Sequence, residues 1–306
     1  MKTNIQAIFL LAAALLSGCA ATARHIGAEG VPAAASTAPV LRSGATTAVL
    51  APEHGARVMS FRPNGHANLL WDNPAENKDL WKWMNYGGEK TWIGPQSLWK
   101  DMQDESWPPP LFFDQDAFTV VDRSPTSWTL RSPFDDRWHI AVERTVSLTN
   151  DVLYIASRVL VDPSAPPAIP LADLRIWSVA QVPYFPQVSA HLVGEGRYEN
   201  NLENAGALAE PVRKGDELLF DLTGSGQGKC AMDADSLTVH LPDGRLVVRH
   251  CAASSDLGPR PDRCHFFTGQ HITITPEEGA LYHELEFLSP ATETHVVALQ
   301  FLPKAP

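Results

Sequence analysis

Tryptophans interleaved with polar side chains are the first feature of this sequence that could do chemistry. The chain has nine tryptophans, and Lys90 and Gln96 lie in the stretch where they are densest. A pyranose can stack its C–H face on an indole while its hydroxyls bond to amino and amide groups, and a buried indole N–H itself requires a partner. The stretch therefore predicts a carbohydrate-binding cleft, although any single tryptophan could equally be a packing residue. Six tryptophans fall within it: Trp71, Trp81, Trp83, Trp92, Trp99 and Trp107.

Two later segments carry residues that would complete such a site. On a strand over residues 281–288, Glu284 and Glu286 share one face, although the same pattern would suit an exposed acidic face. On a strand over 174–182, Trp177 and Gln181 share one face, which offers an indole and an amide. We expect a sugar ring to stack on Trp92, Trp99 and Trp177. We expect its hydroxyls to bind Lys90, Gln96, Gln181 and Glu284, and Glu286 is the alternative to Glu284.

The segments that must position these residues are β in character. Short apolar-rich runs bounded by Pro, Gly and Asn recur from residue 45 onward, and turn signals at Asn150-Asp151 and Pro242-Asp243-Gly244 indicate hairpins. The best helical candidate, residues 95–102, is short. The pattern predicts an all-β fold with a large antiparallel sandwich in one domain over residues 43–306. The predicted strands are 46–50, 57–61, 118–122, 127–132, 139–148, 152–161, 174–182, 217–221, 236–241, 245–249, 271–275, 281–288 and 295–301.

The N-terminus has the features of an export signal. Lys2 precedes the apolar run Ala7–Leu16, which is too short to span a membrane. The run ends at Leu16-Ser17-Gly18-Cys19, which resembles a bacterial lipoprotein box. We expect residues 1–18 to be removed, Cys19 to be lipidated, and residues 19–42 to form a flexible tether. The predicted location is the cell envelope, at the periplasmic side of the outer membrane. An ordinary secretory signal is the alternative.

Composition limits the other function classes. The chain has 24 Lys+Arg and 35 Asp+Glu, a net charge of −11, so we expect no nucleic-acid partner. No GxSxG, HExxH or phosphate-loop pattern occurs, and the cysteine and histidine spacings match no zinc motif. We therefore expect no cofactor and no metal. An oxidising envelope would allow one disulfide among Cys230, Cys251 and Cys264, and Cys251–Cys264 closes the shortest loop.

Several motifs resemble galactose-mutarotase-like (aldose epimerase-like) proteins. Residues 55–58 (GARV) and 68–71 (NLLW) are similar to the opening strands of that superfamily. Residues 85–99 (NYGGEKTWIGPQSLW), with WPP at 107–109, are similar to a lipoprotein family within it whose function is uncharacterised. Residues 176–182 (IWSVAQV) and 282–290 (YHELEFLSP) also match. The resemblance implies a β-supersandwich with a binding site on the concave face of one sheet.

The resemblance also implies roles for individual residues. Mutarotases open the sugar ring with a Glu base and a His acid, and Glu284 matches the position of the base. The strand that would supply the acid has no histidine in this sequence. Lys90 could replace an arginine near the sugar ring, and Arg57 is either a site residue or a structural ion-pair partner. Binding of a carbohydrate is thus favoured over catalysis by an aldose 1-epimerase or another sugar-active enzyme with Glu284 as base. A structural envelope protein is a third reading.

Overall fold

The computed structural model describes residues 39–73, 84–202, 206–223, 227–251 and 281–304, and the backbone of 264–270. All of them belong to a compact unit that spans Ala38–Pro306. The export signal with Cys19, the tryptophans at 81 and 83, and the predicted strand at 271–275 lie outside the described residues. No helix in the described part of the chain is long and apolar enough to cross a membrane.

The described residues form nineteen strands in two antiparallel sheets. The strands are β1 (Val40–Ser43), β2 (Thr46–Ala51), β3 (Arg57–Arg62), β4 (Glu89–Gly94), β5 (Thr119–Arg123), β6 (Ser127–Arg131), β7 (Ile140–Thr149), β8 (Val152–Val161), β9 (Arg175–Pro183), β10 (Gln187–Leu192), β11 (Tyr198–Asn200), β12 (Val212–Lys214), β13 (Glu217–Asp221), β14 (Gly228–Met232), β15 (Ala234–Leu241), β16 (Gly244–Cys251), β17 (Cys264–Gln270), β18 (Leu281–Pro290) and β19 (His295–Pro303). The helices are α1 (Trp99–Gln103) and α2 (Leu111–Asp114), with 3-10 turns at Pro63–Gly65, Gln96–Leu98 and Leu171–Asp173.

The two sheets differ in which strands they combine. The nine-stranded sheet has the order β1-β2-β3-β4-β9-β18-β17-β14-β11. The ten-stranded sheet has the order β12-β13-β10-β15-β16-β19-β8-β7-β6-β5. Strands from both ends of the sequence therefore lie side by side at the centre of the nine-stranded sheet, where β4, β9 and β18 are neighbours.

The sheets pack face to face through alternating side chains. On β7, Val142, Val146 and Leu148 are fully buried, because every second residue of a strand points to the same face. Polar contacts also cross between the sheets: the hydroxyls of Thr91 and Ser157 lie 3.0 Å apart. The result is the all-β antiparallel sandwich that the sequence predicted.

Local predictions agree with the structure at the hairpins and differ at the N-terminal boundary. The turn at Asn150-Asp151 joins β7 to β8, and both residues have positive φ (50° and 63°). The turn at 242–244 joins β15 to β16, and helical structure follows residue 95 as predicted. The predicted tether, however, overlaps β1, because Val40 pairs with Val49 and Leu41 is buried.

Candidate functional site

Strand β4 sends adjacent side chains to opposite faces of the nine-stranded sheet. Glu89 and Thr91 face the other sheet, where Glu89 binds Arg144 of β7. Lys90 and Trp92, at the alternate positions, therefore lie on the outer face. This outer face is the candidate site, and each of its charged residues is placed there by strand register.

The register of β4, β9 and β18 brings the predicted polar residues together. Lys90 is opposite Val179, which is in turn opposite Glu286. Gln181 is opposite Glu284. Directly opposed residues in antiparallel strands share a face, so Lys90, Gln181, Glu284 and Glu286 all belong to the outer face, as the sequence predicted for the two carboxylates.

Lys90 and Glu284 form the centre of this group. The Nζ atom of Lys90 is 3.8 Å from Oε1 of Glu284, 3.4 Å from Oδ1 of Asn85 and 4.5 Å from the centre of the Trp92 ring. Gln181 donates its amide N–H to Oε1 of Glu284 at 2.6 Å. Lys90 is 1% exposed, whereas the Glu284 side chain is 12% exposed.

Burial shifts the protonation of both groups toward their neutral forms. Desolvation, with repulsion from Arg57, lowers the pKa of Lys90 to about 8. Desolvation likewise raises the pKa of Glu284, against the opposing attraction of Lys90. A carboxyl with a raised pKa beside an ammonium with a lowered pKa is typical of groups that exchange protons with a ligand.

The site extends beyond the residues that the sequence singled out. Lys229 of β14 places its Nζ atom 3.3 Å from Oε1 of Glu286. The Tyr282 ring stacks on Trp71 with ring centres 4.6 Å apart. The sequence did not single out Lys229, because the glycine-rich segment over residues 222–229 is typical of a turn, whereas β14 begins at Gly228. We use the term outer-face cluster for Asn85, Lys90, Gln181, Lys229, Glu284 and Glu286.

The tryptophans pack mainly against one another. Trp99 is fully buried in α1, donates its indole N–H to the Ile93 carbonyl and packs edge-on against Trp92 and Trp177. The predicted stacking role of Trp99 does not fit this position, because its ring has no exposed surface. Trp92 and Trp177 keep 7% and 8% of their surface exposed, whereas Trp107 keeps 48%.

Arg57 and Gln96 lie at the edge of this arrangement. Arg57 is fully buried, donates to the Gly87 carbonyl and pairs with Asp114 of α2 at 2.8 Å. Asp114 also accepts the Trp92 indole N–H at 2.7 Å. Of the two roles expected for Arg57, the structure therefore shows the structural ion pair. The charge of Arg57 also helps to lower the pKa of Lys90. Gln96 is half-buried in the 3-10 turn after β4.

His283, the histidine next to Glu284 in the sequence, lies on the opposite face of β18. The His283 side chain is fully buried. Its Nε2 atom lies 2.8 Å from the Phe185 carbonyl oxygen. Burial lowers the pKa of His283 to about 4. By register, His265 of β17 is opposite Glu286. Within the described residues, no group of three or more His, Cys, Asp or Glu side chains could hold a metal ion.

Comparison with solved structures assigns the architecture. A proposed aldose 1-epimerase from Escherichia coli K12 aligns with a TM-score of 0.57 and 12% identity over 88% of this chain and 99% of its own. A galactose mutarotase-like protein from Lactobacillus casei ATCC 334 aligns with a TM-score of 0.52 and 13% identity over 87% and 99%. The chain has the galactose-mutarotase-like fold.

A third structure supports the same assignment. A galactose mutarotase related enzyme from Lactobacillus acidophilus aligns with a TM-score of 0.51 and 11% identity over 87% of this chain and 97% of its own. The sequence itself matches no protein-family model and no curated protein. The resemblance drawn from the motifs is therefore confirmed for the galactose-mutarotase-like fold, and activity must be argued from the site.

Proposed function

We propose that this protein binds a carbohydrate on the outer face of the nine-stranded sheet. The outer-face cluster carries the proposal, because it gathers two amines, two carboxylates and two amides on one sheet face. Sugar hydroxyls both donate and accept hydrogen bonds, so a mixed set of donors and acceptors suits them. The indole of Trp92 beneath Lys90 adds an aromatic surface.

Glu284 is the residue on which binding depends most. Its carboxylate already accepts from Gln181 and keeps an exposed portion that a hydroxyl could reach. Hydrogen bonds to a charged group contribute about 1.5–3 kcal/mol each. Removing the charge should therefore weaken ligand binding by roughly 10-fold to 100-fold.

A glycan array followed by calorimetric titration tests the proposal. The full chain, its Glu284→Gln variant and its Glu217→Gln variant are compared. Glu217 is exposed on β13 of the other sheet, so it receives the same chemical change away from the site. We expect the wild type and Glu217→Gln to bind the same glycan with equal affinity, and Glu284→Gln to bind it at least tenfold more weakly.

Three results would contradict this proposal. Absence of binding to every glycan, or equal weakening by both variants, would remove the role of the outer face. Polarimetry on freshly dissolved α-glucose and α-galactose supplies the third result. Faster anomer exchange with the wild type, lost in Glu284→Gln, would identify an epimerase and would replace the binding-only function.

We also infer a lipid anchor on Cys19, on the basis of the sequence alone. A membrane fraction containing the wild-type chain but not a Cys19→Ala variant would support the anchor. Equal partition of both would favour a secretory signal. The anchor would place the β-sandwich beside the membrane that carries it.

A further inference from the structure

Three polar side chains from three different strands meet between the two sheets. They are His250 of β16, Ser289 of β18 and His295 of β19. The Ser289 hydroxyl oxygen lies 2.9 Å from Nε2 of His250 and 2.8 Å from Nδ1 of His295. The two imidazole nitrogens are themselves 3.2 Å apart. We call this group the Ser289 cluster.

The three atoms lie close enough together to bind a single ion. Nε2 of His250 has hydrogen-bond geometry toward both other atoms, and so has Nδ1 of His295. A triangle with these sides has a circumscribed radius of about 1.7 Å. One point can therefore lie about 2.1 Å from all three atoms, which is the length of a bond from zinc to a histidine nitrogen.

We propose that the Ser289 cluster binds a divalent transition metal of the zinc, cobalt or nickel type. Imidazole nitrogens are preferred ligands of these ions. On a tetrahedral metal with bonds of about 2.0 Å, two nitrogens would be roughly 3.3 Å apart, which is close to the separation seen here. The Ser289 hydroxyl supplies a third donor atom, and solvent completes the coordination.

The surroundings of the cluster hold it in place for such a role. His295 is 1% exposed and Ser289 is 6% exposed, so both are fixed by the packing between the sheets. The His250 ring lies nearly parallel to the Phe287 ring, with centres 6.3 Å apart. His250 is half-buried, so it is the most exposed member of the cluster. The burial of Ser289 and His295 also argues against Ser289 as a hydrolytic nucleophile, since a substrate could not reach it.

The sequence did not indicate this site because the two histidines are 45 positions apart. Zinc motifs are recognised from short spacings, whereas these histidines meet only when β16, β18 and β19 have folded. The site is separate from the carbohydrate site, because Ser289 alternates with Glu284 and Glu286 on β18 and so faces the other way.

Titration of the metal-free full chain with Co²⁺ and Zn²⁺ tests the proposal. Co²⁺ binding is followed by visible absorption and Zn²⁺ binding by calorimetry. We expect one site in the wild type and a dissociation constant at least tenfold larger in His250→Gln. The matched control is His191→Gln, which changes an exposed histidine paired with Asp235 and should bind as the wild type does.

X-ray absorption of the wild-type chain with one equivalent of Zn²⁺ gives a measurement that needs no variant. We expect two imidazole ligands in the first coordination sphere. The proposal is overturned by absence of stoichiometric binding, by equal loss in His250→Gln and His191→Gln, or by sulfur or single-imidazole coordination. Loss of glycan binding in Glu284→Gln would leave all of these results unchanged.

Discussion

Glu89 and Lys90 are neighbours on β4, yet their charges are accommodated in opposite ways on the two faces of the nine-stranded sheet. Glu89 faces the other sheet, binds Arg144 and accepts the Ser178 hydroxyl at 2.9 Å. Lys90 faces outward, and its amine lies 3.8 Å from the carboxylate of Glu284. The inner pair is buried between the two sheets, whereas in the outer pair the Glu284 side chain keeps 12% of its surface exposed.

The inner pair has the features of a structural contact. Glu89 and Arg144 are both fully buried, and Arg144 also donates to the Ala56 carbonyl at 2.8 Å. These bonds tie β4, β7 and the turn before β3 together. The outer pair has longer contacts and shifted protonation, since burial lowers the pKa of Lys90 and raises that of Glu284. The difference is the one expected if charge stabilises the fold on the inner face and, as we propose, binds a ligand on the outer face.

The largest effect is expected from breaking the inner pair. Arg144→Met leaves the Glu89 carboxylate buried without its counter-charge, which typically costs about 3–5 kcal/mol. Urea unfolding of the variant and the wild type at pH 7 would measure this loss.

A surface pair provides the control for that measurement. Arg197 is 49% exposed and pairs with Asp233 at 2.7 Å. Exposed pairs contribute about 0–1 kcal/mol, so Arg197→Met should unfold close to the wild-type midpoint. Similar losses in the two variants would mean that the inner pair is not special, and the comparison between the faces would fail.

A second test uses the same alternation on β18, where His283 is buried beside Glu284. Burial lowers the pKa of His283 from 6.5 to about 4. Between these two pKa values, His283 is protonated in the unfolded chain and neutral in the folded chain. The free energy of unfolding therefore falls as the pH drops through this window. The shift corresponds to about 3 kcal/mol.

The measurement is the pH dependence of the unfolding free energy between pH 7 and pH 4. His283→Gln removes the titrating group, so its stability should decline less steeply than that of the wild type. A wild-type slope in the variant would show that His283 accepts a proton in the folded state without cost.

The sequence predicted the sheet faces well, because alternation along a strand is a local property. It placed Glu284 with Glu286, and Trp177 with Gln181, and register then brought these sets together. It could not show that Trp99 is buried, since burial depends on which helix covers the ring. Lys229 escaped notice because β14 starts inside a glycine-rich segment. Arg57 could be read either way until the position of Asp114 was known.

The smallest effect on stability is expected at the outer face itself. Because the pKa of Glu284 is raised, its contribution to stability is complete below its unfolded pKa and is lost as the pH rises through the folded pKa. Burial thus disfavours the charged form of Glu284, and Glu284→Gln should change the unfolding free energy by less than about 1 kcal/mol. The glutamine can still accept the Gln181 amide N–H, and Lys90 keeps its contacts with Asn85 and Trp92.

Paired urea unfolding of Glu284→Gln and Arg144→Met at pH 7 gives this comparison directly. We expect Glu284→Gln to lose little stability and Arg144→Met to lose much. If Glu284→Gln is also the variant that remains folded but binds glycan more weakly, recognition is assigned to the outer face. If Glu284→Gln instead loses more than about 2 kcal/mol, its carboxylate is held as a structural partner of Lys90. The two faces of β4 would then perform the same task, and the carbohydrate site would have to be sought nearer the exposed ring of Trp107.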